Sequence, residues 1–212
     1  MIDKRFIVVF DLDDTLYEEL DFLKSGFLKI SKYIDARNFN RIYKEMLSWY
    51  QEGKNVFNIL SAKYSVDHEL LLNLYRNHIP EIRLRRDAKE ILEKLNDQGI
   101  IMGLITDGRT LTQNNKIDAL GINGYFDIIV ISEEFGSKKP DLNNFKIFEI
   151  KFPNSKYIYI GDNTDKDFIA PSKLGWNTYC LSDRGNNIHK QDLLFLPKST
   201  ILIQMLSDIL IE

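Results

Sequence analysis

Residues 6–15 read FIVVFDLDDT, five consecutive apolar residues followed by a segment that holds three acids. An apolar run of this length, rich in β-branched and aromatic side chains, is typical of a strand buried on both faces of a parallel sheet. Ligands of open α/β proteins bind outside the carboxyl ends of such strands. Asp11, Asp13 and Asp14 are therefore expected at the ligand-binding edge of a sheet.

Further buried strands alternate with helices along the rest of the chain. Short apolar runs predict strands at residues 100–105, 126–131, 157–160 and 178–181. Amphipathic stretches, with apolar residues three and four apart, predict helices at residues 87–98, 111–120, 143–152, 165–174 and 201–210. This alternation indicates an α/β fold, with a Rossmann-like three-layer core around a mainly parallel sheet.

The stretch between the first strand and the second is too long for a single crossover helix. Four helical stripes of apolar residues lie in it, and they begin at Phe22, Ile42, Val56 and Leu70. We therefore expect an all-helical domain at residues 17–85. It would be inserted into a core domain formed by residues 1–16 and 86–212.

The composition disfavours several classes of function. The 212 residues include 28 basic and 31 acidic ones, and the net charge of −3 argues against a nucleic-acid partner. One cysteine, Cys180, cannot form an intrachain disulfide, and no cysteine–histidine cluster has zinc-site spacing. The N-terminal apolar run is too short for a signal peptide or a membrane span. We expect a cytoplasmic protein without a membrane partner, and no pattern indicates its oligomeric state.

Polar residues that suit phosphate and metal chemistry follow three further strands. They are Thr106, Asp107 and Gly108 after the second strand, Lys139 in the loop after the third, and Asp162 and Asp167 after the fourth. Backbone N–H groups at a glycine turn can bind an anion, and carboxylates are ligands of hard cations. Acids as close as those at residues 11–14 repel each other by about 4 kcal/mol per pair at 4 Å. A bound cation would relieve that repulsion.

These segments resemble the four motifs of the haloacid dehalogenase superfamily, in the order and at the strand ends that the family shows. The matching residues are FDLDDTL at 10–16, ITDG at 105–108, KPD at 139–141, and GD at 161–162 followed by Asp167. The resemblance covers residues 1–16 and 86–212. The helical insertion resembles the C1 cap of the family, and residues 106–109 followed by Gln113 and Lys116 resemble its small-molecule phosphatase branch.

The resemblance implies which residues perform catalysis. Asp11 would be the nucleophile that forms an aspartyl-phosphate, and Asp13 would protonate the leaving oxygen and then activate water. Lys139 would neutralise charge between Asp11 and the phosphoryl group. An anionic nucleophile needs such positive charge before it can attack an anionic phosphate.

The resemblance also implies two sets of binding residues and a Mg²⁺ cofactor. The metal ligands would be Asp11, the backbone carbonyl of Asp13, Asp162, and Asp167 directly or through a neighbouring group. The residues that bind the phosphate of the substrate would be Thr106, the backbone N–H groups near Asp107 and Gly108, and Lys139. The partner would be a small phosphorylated molecule.

The second aspartate distinguishes between branches of the family. Dehalogenases of this family lack an aspartate at the position of Asp13, and transporting ATPases carry threonine there. Asp13 therefore points to hydrolysis of a phosphate ester or to phosphomutase chemistry. The leading hypothesis is a Mg²⁺-dependent phosphatase acting on a small phosphorylated metabolite such as a sugar phosphate or a nucleotide. A phosphomutase of the same fold and a non-catalytic binding module are the alternatives.

Several residues near the motifs have structural interpretations instead. Asp14 is expected to stabilise a turn, Asp165 to begin a helix, and Lys138 to be solvated. Cys180 is expected to be buried near a strand end. Substrate choice is expected to lie in the cap, with candidates on either side of a break at Gly53, namely Trp49, Tyr50, Lys54 and Asn55.

Overall fold

The computed structural model describes residues 6–210. Within them, six parallel strands form a sheet. The strands are β1 (Phe6–Phe10), β2 (Ile101–Thr106), β3 (Ile128–Ile131), β4 (Lys156–Gly161), β5 (Asn177–Leu181) and β6 (Ile201–Ile203). Their order across the sheet is β3-β2-β1-β4-β5-β6. The predicted parallel α/β sheet is therefore confirmed. The prediction that the N-terminal apolar run is too short for a signal peptide rests partly on residues 1–5, which lie outside the described residues.

β1 lies inside the sheet and pairs residue for residue with β2 on one side and β4 on the other. Successive side chains of a strand point to opposite faces. Val8 and Phe10 join the apolar cluster on one face, whereas Ile7 and Val9 join the cluster on the other. All four side chains are fully buried. Burial on both faces explains why this strand is apolar throughout.

Helices cover both faces of the sheet and complete the three predicted layers. The α-helices within residues 6–210 are α1 (Glu19–Ile34), α2 (Phe39–Gln51), α3 (Val56–Tyr64), α4 (His68–Asn77), α5 (Arg86–Asp97), α6 (Thr110–Leu120), α7 (Ser132–Phe135), α8 (Asn143–Lys151) and α9 (Ile169–Lys173). Apolar residues of α5 and α6 belong to the cluster of Val8, and those of α8 and α9 belong to the cluster of Val9. Across the described residues, no helix combines the length and apolar character needed to cross a membrane.

Helices α1 to α4, here called the four-helix unit, lie in the chain between β1 and α5. They share an apolar cluster separate from the two clusters of the sheet, with Phe27 of α1, Met46 of α2, Leu60 of α3 and Leu71 of α4 among its buried members. The helical character predicted for this stretch is therefore confirmed. The division into domains at residues 17 and 85 stays a prediction.

The helix predicted at residues 201–210 is wrong. Residues 201–203 form β6, which pairs in parallel with β5, and a short 3-10 helix follows at Leu206–Asp208. The carboxylate of Asp208 accepts the backbone N–H groups of Gln204 at 3.2 Å and Met205 at 2.9 Å, and this turns the chain directly after the strand. Pairing with β5 satisfies backbone groups at the sheet edge, and this outweighs the helical spacing of the apolar residues.

The helix predicted at residues 165–174 is too long at its start. It begins at Ile169, so Asp165 does not begin a helix. The carboxylate of Asp167 accepts the backbone N–H groups of Asp162 at 3.2 Å and Asn163 at 2.9 Å. The side chain of Asn163 in turn accepts the N–H of Asp165 at 3.0 Å. These side-chain bonds stabilise a turn in place of the first helical residues.

A close contact in β2 gives a test of the packing. A Cβ atom added to Gly103 would lie 2.1 Å from the ring of Phe148. We expect Gly103→Ala to lower the free energy of unfolding by about 1–3 kcal/mol, because the ring must shift in a packed core. Urea unfolding of the metal-free protein measures the change. Gly124→Ala is the matched control, since its Cβ would meet no atom within 4 Å; equal stability of the two variants would contradict this packing.

Candidate active site

Three carboxylates from two neighbouring strand ends meet at one edge of the sheet. Asp11 directly follows β1, and its backbone N–H donates to the carbonyl of Ile160 in β4 at 2.8 Å. Asp162 and Asp167 come from the turn that follows β4. One carboxylate oxygen of each acid lies within 4.8 Å of the others, and all three residues are buried. The parallel pairing of β1 and β4 is what brings these acids together.

Lys139 reaches the same cluster from the loop between α7 and α8. Its Nζ lies 2.7 Å from Oδ1 of Asp11 and 2.8 Å from Oδ1 of Asp167, and its side chain is fully buried. It also donates to the hydroxyl of Tyr159 at 3.2 Å. Burial alone would lower the pKa of Lys139, but the charges of Asp11 and Asp167 raise that pKa well above its ordinary value. The ammonium is therefore charged at neutral pH.

The charge balance of this cluster suits a divalent cation. Three buried carboxylates surround the ammonium of Lys139, so the fully ionised cluster would carry two more negative charges than this lysine balances. Burial raises the pKa of Asp11, with the charge of Lys139 opposing the shift. Burial raises the pKa of Asp162 as well, and the charges of Asp167 and Asp11 add to the increase. Oxygen ligands with excess negative charge are the donor set that Mg²⁺ prefers, so the residues fit the metal that the sequence predicts.

Asp107 holds the lysine loop in place. Its Oδ1 accepts the backbone N–H of Lys139 at 3.1 Å, and its Oδ2 accepts from Nζ of Lys166 at 3.3 Å. The carboxylate therefore connects the end of β2 to two cationic residues from other loops. The role predicted for Asp107 in phosphate binding concerns the backbone at this position, and it stays a prediction.

Thr106 and Gly108 form the turn after β2. Thr106 is buried and accepts a hydrogen bond from Nε2 of Gln113. Gly108 has a φ of 155°, and an added Cβ would lie 2.9 Å from the Gln113 side chain, so this position requires glycine. The N–H of Gly108 donates to Oγ of Ser132 at 2.9 Å. That N–H group therefore has a partner within the protein, and the phosphate contact predicted for it stays a prediction.

Asp13 lies apart from the three-acid cluster and is surrounded by donors. Its carboxylate accepts from Nζ of Lys116 at 2.7 Å, from Nε2 of Gln113 at 3.0 Å and from the hydroxyl of Tyr17. Burial would raise the pKa of Asp13, but the charge of Lys116 and these hydrogen bonds lower it overall. Asp13 is therefore a carboxylate in this arrangement. The contacts of Gln113 and Lys116 are not predicted from the sequence, although their spacing of three on α6 places them on one face of that helix.

Asp14 stabilises the turn, as expected from the sequence. It is buried with a φ of 54°, in the left-handed region that aspartate tolerates better than most residues. One carboxylate oxygen accepts the N–H of Glu19 at the start of α1 at 2.8 Å, and the other accepts the N–H of Ile188 at 2.9 Å. The contact with Ile188 belongs to a segment after β5 that is not assigned any role from the sequence.

The specificity candidates in the four-helix unit separate into two kinds. Asn55 accepts the N–H of Asn58 at 3.0 Å and so begins α3, while Lys54 pairs with Glu52 on the surface. Burial raises the pKa of Tyr50, and the charges of Glu19 and Asp14 add to the increase. The ring of Trp49 lies 5.2 Å from Nζ of Lys63. The role of all four residues in specificity stays a prediction.

A comparison with known families gives a match over most of the chain. Residues 8–180 match the family described as haloacid dehalogenase-like hydrolase. The chain belongs to this family. The match includes the last three residues of β1, all of β2 to β4, and the four-helix unit. It also includes all the predicted site residues, which are Asp11, Asp13, Thr106, Asp107, Gly108, Lys139, Asp162 and Asp167. It confirms the family resemblance found in the sequence motifs.

Named relatives of this haloacid dehalogenase-like hydrolase are phosphatases. Glyceraldehyde 3-phosphate phosphatase of Methanocaldococcus jannaschii is 31% identical over 191 residues, covering 81% of this chain and 82% of the relative. Ribulose-1,5-bisphosphate 5-phosphatase of Halopiger xanaduensis is 24% identical over 196 residues, covering 81% and 82%. These names agree with the phosphoric monoester hydrolase predicted from the sequence.

A solved structure shares the fold across nearly the whole chain. The HAD hydrolase YfnB of Bacillus subtilis, solved bound to magnesium, has a TM-score of 0.66 with 21% identity. The match covers 97% of each chain. It therefore extends over both the sheet and the four-helix unit.

Proposed function

We propose that the chain is a cytoplasmic, Mg²⁺-dependent phosphatase. It would hydrolyse a small phosphorylated metabolite of the sugar phosphate or nucleotide class through an aspartyl-phosphate on Asp11. The observation that carries the proposal is the buried cluster of Asp11, Asp162 and Asp167 around Lys139. The names of the two phosphatase relatives support the sugar phosphate class.

The first step transfers the phosphoryl group to the protein. A carboxylate oxygen of Asp11 forms a bond to phosphorus while the bond from phosphorus to the ester oxygen breaks. Lys139 lies 2.7 Å from that carboxylate and would offset the negative charge that gathers there. Thr106 would donate to a phosphate oxygen, because its own oxygen already accepts from Gln113 and leaves its hydrogen free.

The second step returns the phosphoryl group to water. Asp13 accepts a proton from a water molecule, the water oxygen bonds to phosphorus, and the bond to Asp11 breaks. The carboxylate form of Asp13 is the form this step needs. The first step needs Asp13 protonated so that it can protonate the leaving oxygen, and Lys116 at 2.7 Å opposes that protonation. Productive binding of substrate would therefore weaken the contact between Asp13 and Lys116.

The metal would be held by Asp11, Asp162 and the backbone carbonyl of Asp13, and by Asp167 directly or through a neighbouring group. When bound, Mg²⁺ supplies a fixed positive charge that offsets the charge of the phosphoryl group. Within the part of the chain that the structure describes, the carboxylates of Asp11, Asp162 and Asp167 are the ones close enough together to share an ion.

Phosphate release from a panel of substrates tests the proposal. The panel contains sugar phosphates including glyceraldehyde 3-phosphate, nucleotides and small organic phosphates, each assayed with Mg²⁺ and with a chelator. We expect release from a narrow group of substrates in the presence of Mg²⁺ and none in the presence of chelator. Asp11→Asn protein prepared in parallel serves as the blank.

Other outcomes of the same assay identify the alternatives. Formation of a phosphorylated isomer without phosphate release would indicate a phosphomutase. Release that persists in chelator would contradict the metal requirement. No turnover of any kind, together with no measurable Mg²⁺ binding, would favour a non-catalytic module and overturn the proposal.

A further inference from the structure

The segment at residues 183–191, here called the β5 loop, passes beside Asp162 of the acidic cluster and forms several internal hydrogen bonds. The carboxylate of Asp183 accepts the backbone N–H groups of residues 185, 186 and 187 at 2.7, 3.1 and 3.1 Å. The side-chain amide of Gln191 closes the loop, because its oxygen accepts the N–H of Asp183 at 2.9 Å. Its nitrogen donates to the carbonyls of Asp162 and Leu181, each at 2.7 Å. The Gln191 side chain therefore joins the two ends of the β5 loop and links the loop to the backbone at Asp162.

One side chain of this loop reaches the Asp162 carboxylate. Nδ2 of Asn187 donates to Oδ2 of Asp162 at 2.8 Å. The amide nitrogen of Asn187 is the donor in this contact, and the carboxylate oxygen accepts. Across the described residues, it is the one hydrogen bond found to that carboxylate. Asn187 thus engages one oxygen of Asp162 and leaves the other free.

The backbone on either side of this amide is fixed as well. The N–H of Asn187 is bonded to Asp183, and the N–H of Ile188 donates to Oδ2 of Asp14 at 2.9 Å. The side chain of Ile188 packs against the apolar cluster of the four-helix unit. The position of the Asn187 amide is therefore set by contacts of its own loop with Asp183, Asp14 and the four-helix unit.

A carboxylate in the place of Asp162 needs such a donor to stay in one orientation. It is buried beside the carboxylates of Asp11 and Asp167, whose negative charges favour rotation of the Asp162 side chain away from them. A hydrogen bond from a donor in a fixed position opposes that rotation. Groups that hydrogen-bond to a metal ligand orient it, and their loss typically weakens metal binding about 10- to 100-fold.

We propose that Asn187 is a positioning residue, which holds the Asp162 carboxylate in the orientation that binds the divalent cation. The inference rests on the proposed metal site. Asn187 acts through Asp162 and does not itself need to contact the ion or the substrate. The competing explanation is that Asn187 serves only to stabilise the β5 loop.

Calorimetric titration of the substrate-free protein with Mg²⁺ alone tests the inference. We expect Asn187→Ala to raise the dissociation constant for Mg²⁺ by about 10- to 100-fold. Asn186→Ala is the matched control, because this neighbouring amide donates to Glu18 at 3.2 Å and is exposed to solvent. It should bind Mg²⁺ within about twofold of the parent protein. Asn187→Leu provides a second variant that keeps the side-chain volume and lacks the donor, in case the alanine variant folds poorly.

The melting temperature of the metal-free variants separates positioning from simple stabilisation. A lowered melting temperature with unchanged Mg²⁺ affinity in both Asn187 variants would show a structural role only and would overturn the inference. Asn187→Gln keeps an amide that can reach the carboxylate, so it should recover part of the affinity. If the parent protein itself fails to bind Mg²⁺, the proposed metal site fails and the inference fails with it. If the parent protein binds Mg²⁺ and the Asn187 variants bind it with equal affinity, the inference fails while the proposed metal site stands.

Discussion

Asp11→Asn is expected to reduce turnover by at least about 10⁴-fold while the protein still folds. The neutral amide cannot attack phosphorus. The other two acids of the cluster, Asp162 and Asp167, follow β4 and do not take the position of Asp11 after β1. Folding should survive because burial disfavours the charge of Asp11, as its raised pKa indicates, so a neutral side chain of the same size is accepted there. Phosphate release at saturating Mg²⁺ measures turnover, and thermal unfolding reports the folded state.

The matched control changes another acid of the same strand-end region. Asp165 lies in the turn that holds Asp162 and Asp167, but its side chain is exposed. Asp165→Asn should keep turnover within about twofold of the parent. Loss of turnover in both variants would indicate a general effect of charge, and more than 1% residual turnover in a clean Asp11→Asn preparation would contradict the role of Asp11.

Lys139→Met is expected to reduce turnover by at least about 100-fold. The methionine keeps much of the apolar stem of lysine but removes the ammonium that lies 2.7 Å from Asp11 and 2.8 Å from Asp167. Without it, the nucleophile and the phosphate would meet with less positive charge between them. The loss should appear mainly in kcat, which steady-state phosphate release at saturating substrate measures.

The same variant is expected to lose about 3–5 kcal/mol of unfolding free energy in metal-free buffer at pH 7, because its carboxylates lose their buried partner. Removing Lys139 takes away a charge that lowers the pKa of Asp11, so the pKa of Asp11 in the folded state rises further above its unfolded value. A carboxyl group with a raised folded pKa destabilises the fold as pH rises from the unfolded pKa to the folded one. The loss should therefore shrink as the pH of urea unfolding falls towards about 4.

Lys138→Met is the control for both measurements, because Lys138 is the preceding residue and is exposed. We expect its turnover within about twofold of the parent and its unfolding free energy within about 0.5 kcal/mol. A Lys139 variant as active and as stable as the Lys138 variant would show that the ammonium does not compensate the acidic cluster.

The part of the site that comes from strand ends is predictable from the sequence. Asp11 and Asp162 each follow a short apolar run, and parallel strands bring such positions to one edge of the sheet. Lys139 is predicted by its motif, and the structure brings its ammonium to Asp11 and Asp167. The proposed cation site follows from acids that lie close together, and this closeness is expected from the strand ends alone.

The part that depends on packing between distant segments is not predictable from local patterns. Asn187 lies 25 residues beyond Asp162, in a loop without an apolar pattern, and it reaches the carboxylate only because Asp183 and Gln191 fold that loop back. The wrong helix at residues 201–210 has a related cause. Its sequence has helical spacing, but the open edge of β5 offers backbone partners that only the assembled sheet provides.

The residue-for-residue pairing of β1 with both neighbours constrains how this chain can change during evolution. Deleting one residue from β1 would move its side chains to the opposite face and turn Asp11 away from Lys139. The connections within the four-helix unit carry no such register, so a change in their length does not shift the residues of β1. That unit can therefore vary in length during evolution, whereas the strand that leads to Asp11 can vary only by substitution.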